Sequence, residues 1–217
     1  MRLYLASTSP ARLATLRAAG IEPVVLAPLV DEEETVRLAE HGRDPLPAVE
    51  MVQLLAQAKA EGGVAANAGE PIDGLVLGGD SAFELDGVIY GKPHTPERAR
   101  ERWLAQRGRT GVLHSGHHLL LVRGGEVVRG VGGATAATVT FADDITDDEI
   151  DAYVATGEPL HVAGAFTIDS LGAGFISGIV GDPHTVVGLS VPRLRGLVRE
   201  LGVDWPSLWN RAGAASA

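Results

Sequence analysis

Ser7-Thr8-Ser9-Pro10-Ala11-Arg12 sets three hydroxyls and an arginine where a polar loop enters a helix. Such a helix start presents free backbone N–H groups, hydroxyls and the positive end of the dipole together, and phosphate is their natural guest. Arg12, in the first turn, can fork toward the same oxygens. An ordinary helix cap with a surface arginine would be written the same way. Asp80 follows the apolar run Leu75-Val76-Leu77-Gly78-Gly79, at the carboxyl end expected for a strand, where open α/β sheets place their chemistry. A turn former would look alike. Asp31-Glu32-Glu33-Glu34 reads as a solvated acidic loop. Set beside Asp80, it offers the oxygen ligands that hold Mg2+ or Mn2+ through one or two carboxylates plus substrate phosphates. Lys59 and Lys92 are ordinary surface lysines taken singly, although Gly91 and Pro93 suggest a fixed loop that aims Lys92.

Other constellations fall short. His114 and His118 would share one strand face with His117 beside them, but no third ligand is spaced to complete a zinc set. Gly172, Gly174 and Gly178 lack both the spacing and the following helix of a dinucleotide loop. Neither a phosphate loop ending in Gly-Lys-Ser/Thr nor a Gly-x-Ser-x-Gly nucleophile elbow is found.

The elements that must carry these residues can be read from pattern. Leu3-Tyr4-Leu5 predicts a short buried strand, Ser9 an N-cap, Pro10 the first helical residue, and Gly20 the left-handed residue that closes the helix. Pro23 to Val30 predicts a second extended run. Val52, Leu55, Ala56 and Lys59 recur at helical spacing within a helix from about Ala48 to Glu61. After the strand ending at Asp80, Asp86-Gly87 signals a hairpin, and Thr95-Pro96 opens a helix that ends near Gly108. Val112 to Val122 and Glu126 to Phe141 predict two strands joined at Gly124-Gly125. Thr146 to Glu149 is a capping box whose helix stops near Gly157. Glycine then alternates with apolar residues through Gly188, and Pro192 starts a terminal helix. Interleaved helices, strands and hairpins favour a mixed sheet flanked by helices over a purely parallel one.

Composition narrows the classes. At 217 residues the chain can bury a sizeable core, and with no cysteine it has neither disulfides nor thiolate metal ligands. The N-terminus turns polar after a few residues, so no targeting segment or membrane span is expected and a cytoplasmic location is the default. A formal charge of −10 repels polyanions and argues against nucleic-acid partners. An anionic substrate would have to meet local cations.

Taken together, Leu5-Ala6-Ser7-Thr8-Ser9-Pro10-Ala11-Arg12, Val30-Asp31-Glu32, Leu55-Ala56-Gln57-Ala58-Lys59-Ala60, Gly79-Asp80-Ser81 and Gly91-Lys92-Pro93 resemble the Maf family of nucleotide pyrophosphatases. Tyr153 with Gly157-Glu158-Pro159-Leu160, Ala163-Gly164-Ala165-Phe166 and Val186-Val187-Gly188-Leu189 extend the resemblance across nearly the whole chain. It implies an α/β fold with a mixed twisted sheet flanked by helices, two lobes around a central cleft, similar to inosine triphosphate pyrophosphatases. One bilobed domain over residues 1–211 and a short flexible tail over 212–217 would follow. It implies hydrolysis of a nucleoside triphosphate to monophosphate and pyrophosphate, with modified nucleotides among the targets of a house-cleaning role, and a homodimer, as in many members. Asp80 falls on the family's catalytic acidic residue, the proton acceptor. Ser7, Ser9, Arg12, Lys59 and Lys92 fall on its phosphate site, and Glu32 with Asp80 on its divalent-metal site.

Three specificity positions depart from known sets. Members that prefer dTTP and UTP have a second arginine, a threonine and a glutamine where this chain has Ala11, Ser81 and Asp169, and members that prefer 7-methyl-GTP have tryptophan, glutamine and glutamate. On this reading a divalent ion and Arg12, Lys59 and Lys92 hold the phosphates while Asp80 takes a proton from water. A non-catalytic nucleotide-binding regulator of cell division would use the same pocket, and a phosphomonoesterase would release orthophosphate instead.

Overall fold

The computed structural model describes residues 1–67, 69 and 71–210. The elements are β1 (Leu3–Ala6), α1 (Pro10–Ala18), β2 (Val24–Leu26), α2 (Glu32–Ala39), α3 (Ala48–Ala66), β3 (Gly74–Leu85), β4 (Val88–Tyr90), α4 (Pro96–Gln106), β5 (Thr110–Arg123), β6 (Glu126–Phe141), α5 (Asp147–Ala155), β7 (Ile176–Val180), α6 (Pro183–Val187) and α7 (Val191–Glu200). They form two compact units. Among the described residues, the first holds Met1–Asp80, Ser115–Thr135 and those from Gly188 to Asn210, and the second holds Ser81–His114 and Ala136–Val187.

In the first unit β1 lies between β2 and β3, parallel to both, with Tyr4 opposite Val24 and Val76. A strand covered on both faces needs a continuous apolar run rather than alternation, which is what Leu3–Ala6 supplies. Successive side chains of a strand point to opposite faces. Leu3 and Leu5 accordingly join Leu16, Leu75, Leu77, Leu119, Leu194 and Leu197, whereas Tyr4 and Ala6 join Leu26, Ala60, Val76 and Leu120. The sheet therefore has α1 and α7 on one face and α3 on the other. Helix α3 lies at backbone distance from its strands. A Cβ on Gly78 would stand 2.1 Å from the Ala56 carbonyl oxygen, and one on Gly116 would stand 2.1 Å from that of Val52. Only glycine permits so close an approach.

The second unit concentrates the chain's few aromatic residues. Phe83, Trp103, Phe141, Tyr153 and Phe166 are buried together and meet mostly edge to face. Trp103 Nε1 donates to the Ala165 carbonyl at 2.8 Å, which satisfies the polar end of the largest buried side chain. β4 returns antiparallel on β3 through Asp86 and Gly87, both with positive φ, as the Asp-Gly hairpin signal requires. β7 pairs antiparallel with β6. With parallel pairs in the first unit, the sheet is mixed and helix-flanked, as expected.

Several boundaries need correction. The strand expected to end at Asp80 continues to Leu85, so Asp80 sits within β3 and not at its carboxyl end. The extended run from Pro23 to Val30 shrinks to three paired residues. Helix α3 continues five residues beyond Glu61. The acidic run is not a loop: Asp31 is the N-cap of α2, its side chain accepts from Glu34 N, and Glu32, Glu33 and Glu34 form the first turn, where the dipole favours negative charge. Between α5 and α7 the glycine-rich stretch forms three short 3-10 turns, β7 and α6. Residues 212–217, expected to be a flexible tail, lie outside the described residues.

Candidate active site

Lys59 occupies the buried stripe of α3 together with Val52, Leu55, Ala56, Ala60 and Gly63, an ammonium on an otherwise apolar face. The spacing that marked the stripe already included it. Being long, its side chain lies along that face and carries the charge to the edge of the packing. There Nζ donates to Asp80 Oδ1 at 2.7 Å and pairs with Glu32 Oε1 at 2.9 Å. Lys59 and Asp80 are largely removed from solvent, while Glu32 reaches in from the exposed first turn of α2. Lys59 is thus no surface lysine. It is the shared partner of two carboxylates that lie 48 positions apart in sequence.

Arg12 is buried as well, at 8% exposure. Its Nε donates to the Gly188 carbonyl at 2.8 Å, and its Nη1 donates to Ser7 Oγ at 3.1 Å. Burial draws the guanidinium below its usual range, while the charges of Asp80 and Glu32 act in the opposite direction. β3 passes beside it, since a Cβ on Gly79 would stand 3.2 Å from Arg12 Nε. Ser7 Oγ also accepts from Ser9 N, and Ser9 Oγ accepts from Arg12 N as the N-cap of α1. Ser9 therefore shapes the loop, and Ser7 touches the cation directly.

Within the first unit, then, Ser7, Arg12, Glu32, Lys59 and Asp80 come together as two cations, two carboxylates and a hydroxyl beside a helix N-terminus. A cavity of about 420 Å³ opens next to them, lined by Glu32, Glu33, Val36, Arg37, Glu40 and Leu55. Of the site residues it takes in only Glu32, so the polar constellation defines the site better than the cavity does. Among the described residues no three His, Asp or Glu side chains gather into a ready metal cage. Two carboxylates converging on one ammonium do match a magnesium-type ion, which takes one or two carboxylates and completes its shell with phosphate oxygens.

Lys92 belongs to the second unit, exposed on the loop after β4. That loop is fixed: Arg102 donates to the Gly91 carbonyl, Pro93 is buried, and His94 N donates to Leu160 O. Ser81 and Asp169 are also in the second unit, while Ala11 stays in the first turn of α1. The histidines go three ways. His114 pairs with Glu84 at 3.0 Å, His117 is fully buried and accepts from Ser190 N, and His118 is pushed down by burial against the pull of Glu61.

Two features escaped sequence reasoning. Gly188 supplies the carbonyl that holds Arg12 from 176 positions away, a contact no local pattern announces. Glu158 appeared only as part of a motif. Burial opposes its charge, yet donors from Thr167, Ser170, Gly172 N and Tyr153 hold its carboxyl down at about 2, and so fix the segment that carries Asp169.

The model of the family described as Maf-like protein matches residues 2–201, a span that includes every residue of this constellation. The chain belongs to the Maf-like family. A relative from Leifsonia xyli subsp. xyli is 65% identical over 99% of this chain and 100% of its own, and bears the name nucleoside triphosphate pyrophosphatase. One from Saccharopolyspora erythraea, with the same name, is 50% identical over 96% of this chain and 97% of its own. Among solved structures, the Ham1 protein of Staphylococcus aureus is similar at a TM-score of 0.46 and 16% identity, covering 90% of this chain and 99% of that one. No helix among the described residues is long and apolar enough to cross a membrane.

Proposed function

We propose that this Maf-like chain is a nucleoside triphosphate pyrophosphatase that hydrolyses the bond between the α and β phosphates, giving a monophosphate and pyrophosphate. One observation carries the reading: Asp80 and Glu32 share the Lys59 ammonium in the unit where Arg12 and Ser7 stand at a helix N-terminus. The names of the 65% and 50% identical relatives support it.

Hydrolysis of a phosphoanhydride needs an activated water and neutralisation of the charge that leaves with pyrophosphate. Asp80 is the general base. Lys59 holds its Oδ1, which fixes how the carboxylate faces the water. Arg12 and Lys59 meet the phosphate charge, and Ser7 with the N-terminal N–H groups of α1 adds neutral donors. Lys92, held by its fixed loop, is a further phosphate ligand, and Ser9 keeps the α1 entrance in shape. Glu32 and Asp80 supply the hard oxygen donors for Mg2+ or Mn2+, and the ion, when bound, polarises the phosphoryl oxygens. Ala11, Ser81 and Asp169 match neither known preference set, which points the search for substrate toward modified bases in the cytoplasmic nucleotide pool.

The test is a panel of canonical and modified nucleoside triphosphates assayed for pyrophosphate with Mg2+, with Mn2+ and with chelator. Metal-dependent pyrophosphate release from at least one nucleotide is expected. Binding without turnover would favour a regulator, and orthophosphate alone a phosphomonoesterase.

A further inference from the structure

His117 lies on β5 with no solvent exposure, and the hydrolytic reading gives it no task. Its ring nonetheless reaches the constellation through a short chain of contacts. Nε2 accepts a hydrogen bond from Ser190 N at 2.9 Å, buried and 73 positions away. An imidazole nitrogen that accepts carries no proton, so the ring is neutral with its hydrogen on Nδ1. Ser190 is the N-cap of α7, and its Oγ accepts from Arg193 N at 3.2 Å. Leu189 is fully buried in the core of the first unit. Gly188, with φ of 107°, turns its carbonyl to Arg12 Nε at 2.8 Å. Gly188-Leu189-Ser190 is therefore a bracket held at one end by His117 and closing at the other on the guanidinium.

The backbone of His117 ties in the opposite side of the site. Its carbonyl accepts from Gln53 Nε2 at 3.2 Å, and Gln53 lies on α3, the helix that carries Lys59. The preceding residue, Gly116, is the point where β5 touches the Val52 carbonyl of the same helix. One residue thus joins the segment that grips Arg12 to the helix that presents Lys59.

We propose that His117 is a positioning residue: through the Ser190 amide it fixes the Gly188 carbonyl, and through that carbonyl it aims Arg12 at the phosphates. The proposal rests on the reading of Arg12 as a phosphate ligand. Without the acceptor, Ser190 N is left buried and unpaired, the bracket shifts to find another partner, and Arg12 loses the contact that sets its Nε edge. Because Arg12 binds phosphate before and during reaction alike, the loss falls on KM more than on kcat.

The experiment compares H117F, which keeps a ring and removes the acceptor, with H117Q, whose amide oxygen can accept from Ser190 N. H117F should raise KM for the preferred triphosphate about tenfold while kcat per folded molecule changes less than about threefold. H117Q should recover most of the loss. In an Arg12→Ala background H117F should change KM by less than about twofold, because the two act on one interaction. A purely structural role predicts a lower active fraction with unchanged KM in both variants, and that result overturns the proposal. A measurement on the unaltered protein needs no turnover: nitrogen-15 NMR should find the His117 Nε2 unprotonated and the Ser190 amide slow to exchange. A protonated Nε2 overturns the bracket even if the protein proves to be an active pyrophosphatase. Failure to hydrolyse any triphosphate overturns the hydrolase reading, and the NMR result still decides the bracket.

Discussion

Replacing Gly78 by alanine tests how the fold positions the chemistry. The added Cβ would stand 2.1 Å from the Ala56 carbonyl oxygen, 2.6 Å from Ala60 N and 3.0 Å from Ala60 Cβ. The two closest are backbone atoms, so no side-chain rotation relieves the clash. β3 and α3 must separate by about 1 Å before the contact becomes tolerable. Lys59 lies on the helix between Ala56 and Ala60, and Asp80 lies two residues beyond Gly78 on the strand, so the same separation stretches the 2.7 Å bond between them. Stretched by about 1 Å, that bond passes the limit of a hydrogen bond. Overpacking of this kind costs about 1–3 kcal/mol, and a misplacement of that size in a reactive centre costs about 100-fold in rate. Thermal unfolding followed by circular dichroism reads the first quantity. Pyrophosphate release measured well below the unfolding transition reads the second. G78A protein that is folded, unchanged in Tm and turning over at the wild-type rate would refute the argument that glycine at this contact sets the Lys59–Asp80 geometry.

Asp80→Asn keeps the side-chain shape and removes the base; kcat should fall by about 1000-fold while the circular dichroism spectrum stays native, and near-normal turnover would exclude Asp80 from proton transfer. Lys92→Ala should raise KM with little change in kcat, and an unchanged KM would remove Lys92 from the phosphate ligands. The Glu158 carboxyl titrates at about 2 against an ordinary 4.5, so its folded form favours ionisation. The stability it adds is complete above about pH 4.5 and is lost as pH falls toward 2, on the order of 1–2 kcal/mol once its partial exposure is allowed for. Urea unfolding of E158Q should therefore show a flatter pH dependence in that window than wild type, and parallel curves would contradict it. Trp103→Phe removes the bond to the Ala165 carbonyl and part of a fully buried ring; a loss of about 2–3 kcal/mol in chemical denaturation is expected, and a loss under 1 kcal/mol would show that the second unit's core does not depend on it.

Local patterns carried most of the fold. Ser9 with Pro10, Thr95 with Pro96 and Thr146 with Glu149 each cap a helix where the sequence places one, and Asp86-Gly87 and Gly124-Gly125 each turn between strands. Two elements differ from their local pattern, each for its own reason. Asp31 to Glu34 looked like a loop because its charge density hid a cap and an acidic first turn, in which Asp31 accepts from Glu34 N and Arg37 pairs with Glu34. Asp80 looked like a strand end because a carboxylate after two glycines resembles a turn. Its burial is tolerated within β3 because Lys59 meets it.

The site was legible one residue type at a time and not as a constellation. Lys59 stood in the helical stripe of Val52, Leu55 and Ala56, a lysine where an apolar residue is expected, and that irregularity was the strongest available sign of burial. What tied it to Glu32 and Asp80 is tertiary. Nor could spacing reveal the Gly188 carbonyl on Arg12 or the His117 ring on Ser190 N, since these contacts join residues 176 and 73 positions apart. The Maf-like motifs supplied the grouping that periodicity could not.

In the proposed reaction water attacks the α phosphorus at the centre formed by Asp80, Glu32, Lys59 and Arg12. Hydrolysis of the preferred triphosphate in oxygen-18 water, with the products resolved by mass spectrometry, reads out which phosphorus is attacked. One labelled oxygen is expected in the nucleoside monophosphate and none in the pyrophosphate. Label in pyrophosphate, or orthophosphate as the released product, would contradict it.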